Sequence, residues 1–365
     1  MDNQQLLQKA METFPNETGT VEQWIAQHPQ RDQPVDIVTA FHKDNVSIVS
    51  WNLMSHTLFT RRINGAYSYV DQNLHSWPNR LDKIVDHLHV INADIICLQE
   101  VDLDCFHELS SRLSMWTGSI QKRKDAEDFA CCIFWRKPVQ CTEINNRISR
   151  GLIVAFENKL VVANVHLHAH GDAYVTRARQ INSVLNKVKH SFPNHRLILT
   201  GDFNDEAHSN LHGVLRNNVW HTFDLVSAYE HPSTYDCGAT FMMPGRRTKI
   251  DHVFYTHKTL QLEQVFNFQL KEREDGPNQN CPSDHVPVGA SFSWKPMEIP
   301  QEIDKQRKEQ LTSLFEQVRT PPHHGKPDPQ TLVVLQDAAK QMKLWMSTLD
   351  TLEKEFVQCL KRSSK

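Results

Sequence analysis

Short apolar runs that close on an acid, an amide or an imidazole recur through the middle of this 365-residue chain. Ile48-Val-Ser-Trp51 leads to Asn52, and Ile95-Ile-Cys-Leu-Gln99 leads to Glu100. His166 lies within Val161-Val-Ala-Asn-Val-His-Leu167, and Leu197-Ile-Leu-Thr-Gly201 delivers Asp202 and Asn204. Asp251 interrupts Ile250-Asp-His-Val-Phe-Tyr255, and Asp284-His285 precedes Val286-Pro-Val288. Such runs, bounded by turn residues, read as buried strands. A polar group in a buried strand costs stability unless it is paired. One shared site at the strand ends accounts for all of them. In the run from Leu197, a strand stopping at Gly201, the two-residue period sends Asp202 and Asn204 to one face and Phe203 to the other.

Between these runs the period changes. Pro78 at a helix start, followed by Leu81, Ile84, Val85 and Leu88, predicts one helix; Phe106, Leu109 and Leu113 predict a second. A third opens at Asp172 and carries Val175, Ala178, Ile181, Leu185 and Val188. Residues 205–248 read as loop-rich. Strands joined sometimes by helices and sometimes by short turns imply mixed sheets. The catalytic domain is expected over 46–297, between a polar arm with short helices (1–45) and a helical extension (298–365). In the extension Leu335, Met342, Leu349 and Phe356 stand seven apart, each followed three residues later by Ala338, Trp345, Leu352 or Cys359. That heptad seam, over 329–362, suits self-association, a partner helix or the domain's own surface.

The formal net charge of −3 gives no global positive field, so a polynucleotide would have to be met by locally concentrated basic residues. The 8 cysteines form no C-x-x-C pair, which favours reduced core thiols over a disulfide framework or structural zinc. There is no basic-then-apolar leader, and no apolar run approaches the roughly 20 residues of a membrane span. A cytoplasmic location is the expectation, with signal-independent export left open.

Acids and amides without cysteine ligands are hard oxygen donors suited to Mg²⁺ or Mn²⁺. Histidines beside spare carboxylates can form His–Asp pairs that hold an imidazolium or polarise a phosphoryl oxygen. No serine or cysteine has the surroundings of an activated nucleophile, so water is the expected attacking group. Together these point to metal-assisted hydrolysis of a phosphate ester. His166, His168, His170 and Asp172 would alternate in a strand and loosely match a His-x-His zinc pattern, but the Asp-His that pattern needs after its second histidine is absent.

At these residues the chain resembles the endonuclease/exonuclease/phosphatase superfamily. Its motifs stand in order as Trp51-Asn52, Leu98-Gln-Glu-Val101, Asn164-Val-His-Leu167, Gly201-Asp-Phe-Asn204, Ile250-Asp251 and Ser283-Asp-His285. Ser76-Trp-Pro-Asn-Arg80, Leu225-Val-Ser-Ala-Tyr229, Ala239-Thr-Phe241 and the double histidine His166-Leu-His168 are similar to its deadenylase-type branch, which includes nocturnin, the Angel proteins and the carbon-catabolite-repressor nucleases. The resemblance implies a four-layer α/β/β/α sandwich, here with a C-terminal helical extension, and a site at one rim of the paired sheets.

It implies Glu100 as the principal Mg²⁺ (or Mn²⁺) ligand, helped by Asn52, with Asp284 completing a second metal position. Asp202 would orient or deprotonate the attacking water, Asn204 and His166 would hold phosphate oxygens, and Asp251 would pair with a charge-stabilising His285. Arg80, Lys122, Lys124, Phe241 and Arg246 are the expected substrate contacts. The implied activity is a 3′–5′ exoribonuclease acting on RNA. The alternatives are hydrolysis of a small or lipid phosphoester (an inositol phosphate, a sphingomyelin-like diester, a dinucleotide 2′-phosphate) and a non-catalytic docking module.

Overall fold

A computed structural model of the chain describes residues 45–121, 129–137, 139–169, 174–206, 215, 223, 225–230, 238–266 and 275–295. The expected N-terminal arm, the heptad-bearing extension, Lys122, Lys124, His170 and Asp172 lie outside the described residues.

One sheet is built from β1 (Asn45–Asn52), β2 (Ile95–Asp102), β3 (Trp116–Ile120), β4 (Phe129–Arg136), β13 (Leu260–Phe266) and β14 (Val288–Trp294), in the order β13-β14-β1-β2-β4-β3. The other contains β5 (Cys141–Ile148), β6 (Gly151–Phe156), β7 (Leu160–His166), β8 (Arg196–Asp202), β9 (Leu225–Ser227) and β12 (Asp251–Thr256), in the order β5-β6-β7-β8-β12-β9. Each sheet has one parallel pair, β1 with β2 and β7 with β8, and is otherwise antiparallel. The sheets are mixed, as the irregular alternation of helix and turn implied.

Residue alternation creates the layers. Val46, Ile48, Ile95, Cys97, Leu160, Val162, Ile198, Val253 and Tyr255 fill the space between the sheets. The intervening positions Val49, Trp51, Ile96 and Leu98 face outward onto α2 (Trp77–Ile91) and α3 (Leu103–Arg112), through Leu81, Ile84, Leu88 and Leu109. On the far side Val161, Ala163, Leu197 and Leu199 meet Ala178, Ile181, Leu185 and Val188 of α4 (Tyr174–Ser191). Burial of each such aliphatic side chain contributes about 1.5–3 kcal/mol. The product is the four-layer α/β/β/α sandwich. Helix α2 starts where Ser76 accepts the Asn79 N–H, with Pro78 in its first turn, and stops at Asn92 in the left-handed conformation.

Four details differ from the sequence reading. Strand β8 does not stop at Gly201 but runs through it to Asp202, because a glycine at φ 138 tolerates a crossing in which an added Cβ would lie 1.9 Å from the Val165 carbonyl oxygen. Strand β7 ends at His166, so His168 lies outside the strand and its backbone N–H donates to Gln180 Oε1. The stretch read as loop-rich includes β9 and the hairpin of β10 (Phe241–Met243) with β11 (Arg246–Thr248). Strands β3, β5 and β13 are additions to the expected set. Among the described residues no helix is long and apolar enough to cross a membrane.

Candidate active site

The inner rows that build the core end in polar residues. Continuing two by two, Val46 and Ile48 lead through Ser50 to Asn52; Leu160 and Val162 lead through Asn164 to His166; Ile198 leads through Thr200 to Asp202. Tyr255 and Val253 lead back to Asp251. All of these polar ends are buried. They meet across the seam between the sheets, where Asn52 Nδ2 donates to Glu100 Oε1 at 3.2 Å and to Asp202 Oδ2 at 3.0 Å. His166 Nε2 stands 3.6 Å from Glu100 Oε1 and 3.6 Å from Asp202 Oδ2. His285 Nδ1 bonds Asp251 Oδ2 at 2.8 Å, and its Nε2 lies 3.9 Å from Asp202 Oδ2.

The supporting contacts are as specific. Glu100 Oε2 accepts the Ser55 N–H at 3.0 Å, while the Ser55 hydroxyl and the His56 and Thr57 N–H groups donate to Asp102. The start of α1 (His56–Arg62) is thereby bound by two acids of one strand end. The Trp51 indole N–H donates to the His285 carbonyl at 2.7 Å. Thr240 Oγ1 accepts both the Ile250 and Asp251 N–H groups. Asn204, at φ 49, donates its backbone N–H to Asp202 Oδ1 and its Nδ2 to the Leu167 carbonyl. The loop that carries it is fastened by the buried Arg177–Asp205 pair at 2.5 Å. Met54, Glu100 and Asn204 all hold left-handed backbone around the site. Non-glycine residues keep that conformation only where their surroundings enforce it.

Charge is distributed unevenly. Burial works against the Glu100 carboxylate, yet His166, the Ser55 N–H, His285 and the Asn52 amide outweigh it and hold Glu100 below the usual range. Burial, together with repulsion from Asp251, pushes Asp202 up to about 6. Burial opposes charging of His285, but Asp251, Asp202 and Asp284 raise it to about 10, so it stands as an imidazolium. Burial, with Glu100 adding repulsion, pushes Asp284 up; its Oδ2 accepts the Tyr67 hydroxyl at 2.7 Å.

This donor set fits a hard divalent cation. Carboxylates that repel one another are what such an ion relieves, and no cysteine stands among them. Asp202, Asp251 and His285 place one donor atom each within 4.8 Å of one another. In that trio, however, the imidazolium proton already occupies Asp251 Oδ2 and its charge repels a cation, while Asp251 Oδ1 is buried without a hydrogen-bond partner. Asn52 can offer only the second lone pair of its Oδ1, since Met54 N–H takes the first.

The expected substrate contacts fare less well. Arg80 is completely buried: Nε donates to the Pro282 carbonyl at 3.0 Å, and Nη2 donates to the carbonyls of Leu53 and Met54. Its guanidinium packs over Phe59 and Trp77. Arg80 is therefore an internal strut and not a phosphate contact. Its place among Trp77, Leu81 and Ile84 on the buried stripe of α2 was the available signal. Phe241 is 8% exposed, with its ring 5.0 Å from His285 and the Arg246 guanidinium 5.0 Å above it. It walls the His285 side and is not an open stacking platform. Arg246 itself is exposed. Tyr67 and Ser55 went unremarked in the sequence, and Thr240 stood only within the Ala239-Thr-Phe241 motif without a role; Ser55 precedes a helix and could have been read as its cap, whereas Tyr67 left no periodic signal.

Residues 49–285 match the model of the Endonuclease/Exonuclease/phosphatase family. The chain belongs to this family. The family is one of phosphoester hydrolases, and the chain's relatives within it include the probable CCR4-Not complex 3'-5'-exoribonuclease subunit Ccr4 of Encephalitozoon cuniculi, 24% identical over 326 residues, covering 72% of this chain and 64% of that protein. The Ccr4 subunit of Schizosaccharomyces pombe is 23% identical over 348 residues, covering 70% of this chain and 50% of its own length. The chain thus spans between half and two thirds of these relatives. Among endonuclease/exonuclease/phosphatase structures, ANGEL2, a 2',3'-cyclic phosphatase, in complex with adenosine-2',3'-vanadate superposes with a TM-score of 0.62 at 19% identity, covering 70% of this chain and 98% of that one. The human Nocturnin catalytic domain with bound sulfate gives 0.53 at 19%, covering 69% and 94%. These names agree with the deadenylase-type branch read from the motifs.

Proposed function

We propose that this chain is a divalent-metal-dependent 3′–5′ exoribonuclease, releasing nucleotides from an RNA end by attack of water on phosphorus. The observation that carries the reading is the meeting, at one seam, of Glu100 and Asn52 from one sheet with His166, Asp202 and Asp251 from the other. Similarity to the Ccr4 exoribonuclease subunits supports RNA as the substrate.

Glu100, with Asn52 and Asp284, would hold the cation, for which Mg²⁺ (or Mn²⁺) suits the oxygen donors; when bound it supplies charge neutralisation at the phosphate. Asp202, held by the Asn52 amide and the Asn204 N–H, would take a proton from the attacking water. His166 and Asn204 would hold phosphoryl oxygens. His285, kept charged by Asp251, would stabilise the negative charge that grows on the phosphoryl group. The P–O bond to the leaving 3′ oxygen breaks, that oxygen takes a proton, and a nucleoside 5′-monophosphate departs. Positioning and charge stabilisation are the main means of catalysis in such transfers. Arg246, exposed over Phe241, is the proposed backbone contact among the described residues, joined by Lys122 and Lys124. We place the protein in the cytoplasm and assign the 329–362 heptads to self-association or a partner helix.

The test is a 5′-labelled RNA ending in adenosines, incubated with Mg²⁺ or with EDTA, beside the Glu100→Ala protein. A ladder shortening from the 3′ end is expected with Mg²⁺ alone, reduced by roughly 100-fold or more in the variant. The variant loses the Glu100 bonds to the Ser55 N–H and the Asn52 amide, so circular dichroism beside the assay checks that it is folded. An RNA left intact by the native protein would overturn the reading and direct the assay to phosphate release from small phosphoesters.

A further inference from the structure

The Glu100 carboxylate reaches the seam on an irregular piece of strand. Strands β2 and β4 stay in register from Ile95↔Trp135 to Leu98↔Cys132 and resume at Val101↔Ala130. Gln99 and Glu100 therefore share Cys131 as their partner position, which is a β-bulge, and Glu100 within it has φ 54. Bulges re-aim side chains, and this one aims Glu100 at Asn52 and His166.

What holds the bulge comes from the opposite sheet. Asn164 lies on the inner face of β7, two residues before His166. Its Nδ2 donates to the Leu98 carbonyl at 2.8 Å and to the Cys132 carbonyl at 2.8 Å. Those are the two residues of the last regular pair before the bulge, one on each strand. Its Oδ1 accepts from Gln99 Nε2 at 2.6 Å, and the same Nε2 donates to Ser50 Oγ at 3.0 Å. Both amide protons and the amide oxygen of Asn164 are thus committed to one irregularity on the other sheet. Ser50, Gln99 and Asn164 are all buried. Elsewhere along the row Leu160 and Val162 fill the same inter-sheet space with hydrocarbon. A buried amide is tolerated only when its hydrogen bonds are made, and here they are made to the backbone that presents Glu100.

We infer that Asn164 is a positioning residue that clamps the Glu100 bulge from the opposite sheet and so sets where that carboxylate stands in the site. The catalytic consequence rests on Glu100 being the cation ligand; the structural consequence does not. In the crystal structure of full-length Asn164→Leu the bulge should relax and the 3.2 Å contact between Glu100 and Asn52 should be lost. Binding of Mn²⁺, followed by its electron paramagnetic resonance, and the Mg²⁺ concentration for half-maximal RNA hydrolysis should both weaken by roughly 10- to 100-fold, with KM for RNA unchanged. Val162→Ala, in the same row, should lower thermal stability without moving the Mg²⁺ requirement. If Asn164→Leu does not fold, Asn164→Ser, which leaves room for a bridging water, carries the same measurements. An unmoved Glu100 together with native Mn²⁺ binding would overturn the inference. A relaxed bulge in Asn164→Leu, with Glu100→Ala still binding Mn²⁺ as the native protein does, would uphold the clamp and remove Glu100 as the ligand.

Discussion

At the scale of residues, two groups set pH dependences that run the same way for stability and opposite ways for activity. His285 is raised to about 10, so its charged form is favoured by folding: that stability is whole below about 6.5 and is lost as pH rises towards 10. Asp202 is a carboxyl raised from 3.8 to about 6; folding favours its protonated form, and the associated stability is lost as pH rises from about 4 to 6. The proposed mechanism needs Asp202 ionised and His285 charged. A profile of kcat/KM against pH should therefore show an acid limb near 6 and an alkaline limb near 10. Asp251→Asn removes the carboxylate bonded to His285, and the alkaline limb should move down towards about 6.5 with the acid limb also shifting lower as repulsion on Asp202 is relieved. An unmoved alkaline limb would show that another group titrates there. Asp202 and Asp251 were legible because each ends an apolar row in phase, and His285 because it stands just before one. Tyr67 was not: it reaches Asp284 from a turn-rich segment, where neither period 2 nor period 3.6 marks a side chain.

At the scale of elements, helix α2 acts through one cation. Arg80 ties the loop after β1, at Leu53 and Met54, to the segment before Asp284 and His285, at Pro282. Replacing it with methionine keeps the apolar stem and leaves buried carbonyls unpaired, each worth about 1–3 kcal/mol. Arg80→Met should destabilise the protein by at least about 3 kcal/mol in urea unfolding, while the folded fraction keeps its KM for RNA. A raised KM at native stability would return Arg80 to the substrate. The strands with continuous apolar rows, β1, β2, β7 and β8, could be read from sequence to within a few residues. Strand β5, Cys-Thr-Glu-Ile-Asn-Asn-Arg-Ile over 141–148, could not, because an edge strand needs no apolar row. The β10–β11 hairpin, with Arg246 and Arg247, hid for the same reason.

At the scale of the whole molecule, the site belongs to neither sheet alone. Glu100 comes from one and Asp202 and Asp251 from the other, so a cation held on Glu100, Asn52 and Asp284 would face the proposed base across the seam. A ligand at ten times its Kd stabilises by about 1.4 kcal/mol, which for a domain of this size is a Tm rise of roughly 3–6 °C. Mg²⁺ should produce that rise, EDTA should abolish it, and Glu100→Ala should show none; an unchanged Tm at saturating Mg²⁺ would mean that no cation is held at Glu100. The rows that bury the core and the polar ends that form the site also share one count along β1, β7, β8 and β12. Deleting Ala163 within β7 would leave Leu160 and Val162 on one face and turn Asn164 and His166 to the other. A one-codon change within such a strand therefore costs either the core or the site, unless a bulge absorbs it as the one at Gln99 and Glu100 does in β2.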